Sequence, residues 1–475
     1  MKTSFFMPKN IFSFLLLSLF FTACIPEEPR YQKEPLKDRG EVLLYLQPMP
    51  KEADTFRFTI ESISVIPEDG DDIALPLTFA DLKGADLVGV QKLLASGIIP
   101  HGRYRGIRLQ IRSAHLQGKQ GEAKLLVAED SFMVQHSFEV NQGKISTLFL
   151  SFDPLKSLTD GIVFNPFFTL TTYVSKLLSL TGYITDAGSN MISIFNKDTM
   201  LMQAALATGR APTGLVFDQV RGLAYAALSG DDYIEVIDIF AGKFTGRIRL
   251  NLGDEPQELS LVPDGKTLLS VNHGSNSVSI IDTDARSEVI RLNVGEQPTA
   301  AVIDPLGLRA YIMNSLSRSI TVLDMSSKVI YATIGVEGNP LKGAFNRTGD
   351  RLYVVNKYMP YLTVIDPSRL TVTGKIFVGT SAVSIKADTR SDLIYVGNST
   401  GGNISVISPS VSIFVDTIMT AGTAAFMTID DQENTLLALI PERKVLQMIN
   451  LTNKRIIAEI DVGEGAYAVA VMGGR

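Results

Sequence analysis

The chain has 475 residues, of which 45% are hydrophobic, 20% are charged and 8% are aromatic. A chain of this length is too long for a single hydrophobic core, so we expect two domains, and its apolar content excludes intrinsic disorder. The 50 acidic and 44 basic residues give a net charge of −6 at pH 7, and without a basic run this charge argues against nucleic acid as a partner.

The first 23 residues have the pattern of a secretory signal peptide. Lys2 and Lys9 flank the start of an apolar run at residues 11–21 (IFSFLLLSLFF), which is about half the roughly 20 residues that a spanning helix requires. The run leads to Phe21-Thr22-Ala23-Cys24, which resembles a bacterial lipobox, although that motif prefers leucine where Phe21 stands. The resemblance implies that residues 1–23 are removed and that Cys24 becomes a lipidated N-terminus. The alternative is an ordinary cleavage site followed by an unmodified cysteine.

Residues 24–39 are predicted to form a lipidated tether, because they are rich in proline and charge and lack an apolar period. Cys24 is the only cysteine, so we expect no disulfide, no cysteine-ligated zinc and no thiol nucleophile. The lipobox resemblance implies a cell-envelope protein anchored to a membrane by acyl chains such as palmitate. Under the sorting rule of enteric bacteria, Ile25 in place of aspartate directs such a lipoprotein to the outer membrane. The rule does not say whether the protein faces the periplasm or the cell surface.

Residues 40–173 alternate between polar and apolar in short runs separated by turn residues, which predicts a small antiparallel β-sandwich. Only residues 86–96 (DLVGVQKLLAS) have the pattern of a short helix. This segment, the later SFEVNQGKISTLFLSFDP and a closing hydrophobic strand together resemble a domain of unknown function that is common near the N-termini of bacterial lipoproteins. The resemblance implies an immunoglobulin- or transthyretin-like fold and brings no established activity.

Residues 182–475 contain a sevenfold repeat. Seven segments, from GYITDAGSNMISIFN to LLALIPERKVLQMIN, align without internal gaps, and their anchor residues are 42 or 44 positions apart: Tyr183, Tyr225, Leu269, Tyr311, Tyr353, Tyr395 and Leu437. This period, with four short strands in each unit, is typical of a β-propeller blade. In each unit a strand of small residues comes first, which suits the crowded position nearest the axis.

The end of the chain supplies a strand that its beginning lacks. No inner-strand segment precedes Tyr183, whereas Gly463-Glu464-Gly465-Ala466 and residues 467–472 follow the seventh outer strand. We therefore predict a seven-bladed β-propeller closed by the C-terminal strand, which removes exposed sheet edges. The repeat resembles the YVTN β-propeller family, whose motif stands here as Tyr353-Val354-Val355-Asn356. The resemblance implies the fold and leaves function open, because that family includes surface-layer proteins, lactonases, and haem or quinone enzymes.

No residue pattern indicates catalysis or a cofactor. The chain has no tryptophan on which a quinone could stack and no Cys-x-x-Cys-His motif for haem. The acidic turn of Asp69, Asp71 and Asp72 lacks the spacing and glutamate of a calcium loop. His273 lies in a turn of the propeller and is interpreted as solvated. We therefore predict no cofactor, no metal ion and no catalytic residues.

Two sets of repeated polar residues are interpreted as structural. Asparagines recur at the end of the second strand and aspartates at the end of the third strand of successive blades, as residues of Asx-turns do. The asparagines are Asn272, Asn314, Asn356 and Asn398, and the aspartates are Asp238, Asp282, Asp324 and Asp366.

The loops between the second and third strands differ strongly between blades and are predicted to emerge on one face. They include exposed aromatic and cationic residues, which are typical of a binding surface. The candidate binding face consists of Lys357, Tyr358, Tyr361, Arg318 and His273. We therefore predict a non-catalytic binding or scaffold module with a protein or other envelope partner. The alternatives are an extracytoplasmic lactonase-like hydrolase on the propeller and an accessory subunit that docks a redox protein.

Overall fold

The computed structural model describes residues 36–118, 121–172, 180–379 and 381–474. These residues are mostly in β-strands, which confirms the predicted all-β fold class. The predicted signal peptide, Cys24 and the tether as far as residue 35 lie outside the described residues. No helix in the part of the chain that the structure describes is long and apolar enough to cross a membrane.

Within residues 36–118 and 121–172 the structure has twelve strands, one short α-helix and two 3₁₀ turns. The α-helix, α1, spans Gly84–Leu87, and the 3₁₀ turns span Lys51–Ala53 and Pro154–Lys156. The strands are β1 Arg39–Leu46, β2 Phe56–Pro67, β3 Ile73–Leu75, β4 Asp81–Lys83, β5 Lys92–Pro100, β6 Gly102–Gly118, β7 Gly121–Val127, β8 Ser131–Val140, β9 Ile145–Asp153, β10 Leu158–Thr159, β11 Val163–Phe164 and β12 Phe167–Thr171.

These strands form two sheets that share one hydrophobic core. The first sheet has the order β12-β9-β1-β5, and the second has the order β10-β11-β7-β6-β2-β3, with β4 paired to β2 and β8 to β6. The core is rich in aromatic rings: Phe58 lies 5.2 Å from Phe152, 5.3 Å from Phe164 and 6.2 Å from Phe168, measured between ring centroids. Such clusters contribute beyond the apolar area that they bury.

Two features of this sandwich differ from the sequence-based expectation. Strand β1 pairs in parallel with β9, and β11 pairs in parallel with β7. These strands are not joined by hairpins, so local alternation carries no information on their relative direction. The helix predicted at residues 86–96 is wrong: only Gly84–Leu87 is helical, and Lys92 begins strand β5, which pairs with β1. A short apolar run does not distinguish a helix from a buried strand.

Within residues 180–379 and 381–474 the structure has seven four-stranded antiparallel sheets, here called blades 1 to 7. The strands of blades 1 to 4 are β13 Thr181–Asp186, β14 Met191–Asn196 and β15 Leu201–Ala207; β16 Pro212–Asp218, β17 Leu223–Leu228, β18 Tyr233–Asp238 and β19 Lys243–Arg249; β20 Pro256–Leu261, β21 Thr267–Asn272, β22 Ser277–Asp282 and β23 Ser287–Asn293; and β24 Pro298–Ile303, β25 Arg309–Asn314, β26 Ser319–Asp324 and β27 Val329–Gly335.

The strands of blades 5 to 7 are β28 Asn339–Phe345, β29 Leu352–Lys357, β30 Tyr361–Asp366 and β31 Thr371–Phe377; β32 Ala382–Asp388, β33 Leu393–Asn398, β34 Asn403–Ser408 and β35 Ile413–Met419; and β36 Phe426–Asp430, β37 Thr435–Ile440, β38 Val445–Asn450 and β39 Arg455–Asp461. A 3₁₀ turn, Pro441–Arg443, separates β37 from β38. The last strand, β40 Ala466–Val471, belongs to blade 1.

The repeated tyrosines pack one blade against the next. Tyr183 lies edge-on to Phe217 of blade 2, and Tyr311 lies edge-on to Phe345 of blade 5, both with ring centroids 5.3 Å apart. Both tyrosines are almost completely buried. Each large ring therefore fills the space between neighbouring sheets, which accounts for its recurrence in the sequence.

Strand β40 takes the innermost position of blade 1. It pairs with β13 in the antiparallel register Gly182↔Val471, Tyr183↔Ala470 and Ile184↔Val469. The innermost strands of successive blades lie side by side, and β40 contacts both β36 of blade 7 and β16 of blade 2. The two ends of the repeat therefore meet in one sheet, as the repeat alignment predicts.

The sandwich and the propeller share a hydrophobic cluster, in which Tyr45 and Phe149 pack with side chains of blades 1 and 7. The buried side chain of Gln91, in the sandwich, accepts a hydrogen bond from the backbone amide of Met202 at 2.7 Å and donates one to the Met202 carbonyl at 3.4 Å. Met202 lies on the outer strand of blade 1. Lys92 Nζ lies 2.6 Å from Asp461 Oδ1 of blade 7. The sandwich thus covers backbone groups that an edge strand would otherwise expose.

Candidate functional site

The loops between the second and third strands of the blades lie on one face of the propeller, here called the top face. Strands alternate in direction within a blade, so the loops that enter the innermost strands open on this same face. The top-face loops between second and third strands are residues 187–190, 229–232, 273–276, 315–318, 358–360, 399–402 and 441–444. All five residues of the candidate binding face lie in these loops or next to them.

The blade 5 loop follows a different path from the other six. At one aligned position the other loops have a residue with φ between +51° and +56°: Asn190, Asp232, Asn276, Arg318, Gly402 and Lys444. In blade 5 this position is Pro360, whose ring fixes φ near about −65°. The left-handed residue is Tyr358 instead, with a φ of +63°. The proline therefore redirects the loop, and the Tyr358 side chain is 70% exposed.

The two residues that flank the blade 5 loop, Lys357 and Tyr361, differ in how firmly they are held. Lys357 is exposed, and its Nζ lies 5.2 Å from the centroid of the Tyr358 ring. Tyr361 is half-buried, and Nζ of Lys375 lies 4.6 Å from its ring. Lys375 is paired with Glu337, and its ammonium holds the pKa of that carboxyl below its usual range. Lys357 and Tyr358 are therefore open to a partner, whereas Tyr361 belongs to a side-chain cluster of its own blade.

Arg318 and His273 lie in the loops of blades 4 and 3. Arg318 is exposed. His273 is partly exposed rather than fully solvated, and its Nδ1 lies 3.2 Å from the carbonyl oxygen of Pro298. A carbonyl oxygen only accepts hydrogen bonds, so Nδ1 carries the hydrogen. His273 thus links the blade 3 loop to the start of blade 4, a contact between repeats that the sequence of one loop does not show.

The repeated asparagines are structural, but through bonds that differ from the predicted Asx-turns. Each is buried and donates from its Nδ2 to a serine or threonine hydroxyl on the facing third strand, at 2.8–2.9 Å. The pairs are Asn272–Ser279, Asn314–Thr321, Asn356–Thr363 and Asn398–Ser405. The amide therefore satisfies a buried polar group across a hairpin rather than within the turn.

The third-strand aspartates do form the predicted turns. Each accepts hydrogen bonds from backbone N–H groups two or three residues further along the chain, at 2.8–3.1 Å. These aspartates are Asp238, Asp282, Asp324 and Asp366.

Charged side chains on the innermost strands form a second candidate site, which the sequence interpretation missed. Lys342 Nζ of blade 5 lies 3.9 Å from Glu258 Oε2 of blade 3 and 4.5 Å from the centroid of the Phe426 ring of blade 7. Burial raises the pKa of Glu258 and lowers that of Lys342, and the attraction between the two charges opposes both shifts. The three blades therefore place a charged pair and an aromatic ring together between the innermost strands.

The repeat alignment contains a signal for this second site. At the position of Glu258, Lys342 and Phe426 the other blades have small residues: Gly214, Ala300, Ser384 and Ala468. The preceding residue is skipped in the strand pairing of blades 3 to 6, as in a β-bulge, and bulges redirect side chains. Large or charged residues at a position that otherwise takes small ones indicate a role other than packing.

The described residues contain no group of three His, Cys, Asp or Glu side chains placed to hold a metal ion. In the acidic turn of the sandwich, Asp72 Oδ2 lies 2.5 Å from Arg108 Nε. Glu235 of blade 2 is a buried carboxyl, and burial raises its pKa to about 7. Its oxygen lies 3.0 Å from Arg247 on the outer strand of the same blade, so this pair is internal to blade 2.

Comparisons with known proteins agree with this architecture. Residues 180–391 match the YNCE-like beta-propeller family, and residues 39–166 match a domain of unknown function, DUF4382. No curated protein has a sequence that matches the chain.

Solved structures with a similar fold share little sequence with this chain. One is a functionally unknown protein from Desulfotomaculum acetoxidans DSM 771, with 12% identity, a TM-score of 0.55, and coverage of 61% of this chain and 98% of that chain. Another is a putative 6-phosphogluconolactonase from Bacteroides fragilis NCTC 9343, with 13% identity, a TM-score of 0.53, and coverage of 61% and 97%. A third is the dihydro-heme d1 dehydrogenase NirN, with 15% identity, a TM-score of 0.50, and coverage of 63% and 77%. At these identities the similarity shows the fold alone. Residues 39–166 are therefore similar to DUF4382, and residues 180–391 are similar to the YNCE-like beta-propeller family.

Proposed function

We propose that this chain is a membrane-anchored lipoprotein of the cell envelope whose propeller is a non-catalytic binding module. The apolar leader and the lipobox resemblance at Cys24 support the anchor. The redirected blade 5 loop, with an exposed tyrosine beside a lysine, supports binding at the top face. The exposure of Tyr358 is the observation that carries the binding proposal.

The chemistry of Tyr358 and Lys357 fits a contact with a protein or another envelope component. A tyrosine ring offers a large contact area with few rotatable bonds, so little conformational entropy is lost when a partner covers it. The neighbouring ammonium adds a charge that can pair with an acidic group of the partner. The rigid blades hold this loop in place, as scaffolds do for binding loops in other folds.

Replacement of Cys24 by alanine tests the anchor. Two or three acyl chains, at about 0.8 kcal/mol for each buried CH₂, hold a protein on a membrane through washing. We expect Cys24→Ala to release the protein into the soluble fraction or to accumulate the uncleaved precursor, whereas Ile25→Ala keeps the cysteine and stays with membranes. Fractionation measures release from the membrane, and the mass of the N-terminal peptide shows whether the leader has been cleaved and the cysteine acylated. A Cys24→Ala protein that fractionates and migrates like the wild type would exclude the lipid anchor.

Replacement of Lys357 and Tyr358 by alanine tests the binding face. For a hot-spot pair we expect a loss of about 2 kcal/mol or more in binding free energy, which is roughly a 30-fold rise in Kd for an envelope partner. The matched control is Tyr331→Ala, because Tyr331 is 55% exposed on the outer strand of blade 4. Thermal unfolding should change little in either variant. Equal affinity in the double variant and the wild type would place binding on another surface.

The alternative of a lactonase-like hydrolase has one observation in its favour, the Glu258–Lys342 pair between the innermost strands. A carboxylate and an ammonium with pKa values shifted by burial are the kind of groups that general acid–base catalysis uses. The similarity to a putative 6-phosphogluconolactonase concerns the fold alone. Turnover of a simple lactone by the purified protein, lost in Glu258→Gln and kept in Lys357→Ala, would favour the hydrolase.

A further inference from the structure

A cavity of about 490 Å³ opens on the face of the propeller opposite the top face. Its lining residues are Arg347, Thr389, Arg390 and Asp431. They belong to the turns between the first and second strands of blades 5, 6 and 7, one turn from each blade. The cavity therefore lies where three successive blades converge, at the end of the propeller remote from Tyr358.

Hydrogen bonds among the described residues hold the backbones of the two arginine turns and engage one guanidinium donor of Arg390. Arg390 Nη1 donates to the carbonyl oxygen of Asp431 at 3.1 Å, and the Arg390 amide donates to Asp388 Oδ1 at 2.9 Å. The Arg347 amide donates to Asp392 Oδ1 at 3.3 Å. A guanidinium has five N–H donors, so these contacts use one donor of Arg390 and fix the backbone of both turns.

Lys386 is a further cation on the strand that leads into the turn of Thr389 and Arg390. It lies on the innermost strand of blade 6, two residues before Asp388, and its side chain is half-buried. Burial lowers the pKa of Lys386 to about 8, and the carboxylate of Asp431 opposes that shift. An ammonium that has lost part of its hydration gains more from an added anion than a fully hydrated one does.

We propose that this cavity binds a phosphate group through Arg347, Arg390 and the hydroxyl of Thr389. Guanidinium groups match the oxygens of phosphate in two-point hydrogen bonds, and a hydroxyl supplies a further donor. Asp431, which also lines the cavity, accepts a hydrogen bond from a protonated phosphate oxygen. The site is independent of the proposed top-face contact, because it lies on the opposite face.

Isothermal titration of the purified propeller-containing chain with inorganic phosphate tests the site, with sodium sulfate and glycerol 3-phosphate as parallel titrants. We expect saturable binding of one phosphate per chain. Arg347→Gln and Arg390→Gln should each raise the Kd about tenfold, as expected for the loss of a charge-assisted hydrogen bond. Both side chains are exposed, so both variants should keep the melting temperature of the wild type.

The matched control is Arg249→Gln, which removes an exposed arginine from the outer strand of blade 2 and should leave the Kd for phosphate unchanged. Tighter binding of glycerol 3-phosphate than of inorganic phosphate would identify a phosphate ester as the ligand, and the reverse order would identify the free ion. Absence of saturation by 10 mM of every titrant would overturn the proposal. Equal affinities in the wild type, Arg347→Gln and Arg390→Gln would also overturn it, and neither result would bear on partner binding through Tyr358.

Discussion

Truncation after Gly463 is expected to abolish the cooperative thermal transition of the propeller and to cause aggregation. The deletion removes β40, whose Ala468, Val469 and Val471 are buried among side chains of the neighbouring blades. It also removes the strand that pairs with β13. An unpaired edge next to an exposed apolar surface is a template for association with other chains. Calorimetry and size-exclusion chromatography measure the two effects.

A deletion after Met472 is the matched control, because it keeps all of β40. We expect this shorter deletion to stay monomeric and to shift the Tm by at most about 4 °C, the effect of roughly 1 kcal/mol or less. Addition of a peptide with residues 464–475 should restore part of the transition to the longer deletion. A chain that ends at Gly463 and still melts and elutes like the full-length chain would contradict the structural role assigned to β40.

Lys197→Met is expected to lower the free energy of unfolding by about 3–5 kcal/mol, the usual loss when one partner of a buried ion pair is removed. The Lys197 side chain is fully buried, and its Nζ lies 2.6 Å from Asp430 Oδ2 of blade 7. The same ammonium donates to the carbonyl oxygen of Met472 at 2.7 Å and to Gln432 Oε1 at 3.3 Å. One cation therefore joins blade 1, blade 7 and the end of the C-terminal strand. Its loss leaves the Asp430 carboxylate buried without a cationic partner.

Two further variants separate the loss of charge from the loss of packing. Lys243→Met removes an exposed lysine and should change stability by about 0.5 kcal/mol or less. Lys197→Met combined with Asp430→Asn removes the lone carboxylate and should recover part of the loss. Methionine suits the site, because Met325 stands at the aligned position of blade 4. Denaturant unfolding measures all four proteins, and a Lys197→Met protein as stable as Lys243→Met would show that the buried pair does not hold the blades together.

The sequence predicts the propeller well because the residues that define a blade lie close together in the chain and recur in each repeat. A large side chain that fills the space between sheets recurs in each blade, as a tyrosine in five blades and as Leu269 and Leu437 in the other two. The period then counts the blades, and the unmatched segment after Gly463 identifies the strand that pairs with β13. The parallel pairing of β1 with β9 has no such local signal, because strands β2 to β8 lie between them in the chain.

The contacts that distinguish this chain from other propellers are long-range and could not be predicted from one repeat. Gln91 meets Met202 across 111 residues of sequence, and Lys342 meets Glu258 across two blades. A sequence pattern for one blade contains only the residues that all blades share, so it does not show contacts that occur in one blade alone. The change of loop path at Tyr358 follows from Pro360, which stands where the other six loops have a residue with a positive φ. An alignment of the seven repeats shows this proline.

The most direct test of the binding proposal is photo-crosslinking from the blade 5 loop in the intact, acylated chain in its own cells. A benzophenone amino acid replaces Tyr358 in one strain and Tyr331 in the other, since both side chains are more than half exposed. We predict a discrete adduct with one envelope component from position 358, reduced when Lys357→Ala is added, and no such adduct from position 331. The same adducts from both positions, or no adduct from position 358, would contradict binding through the top face.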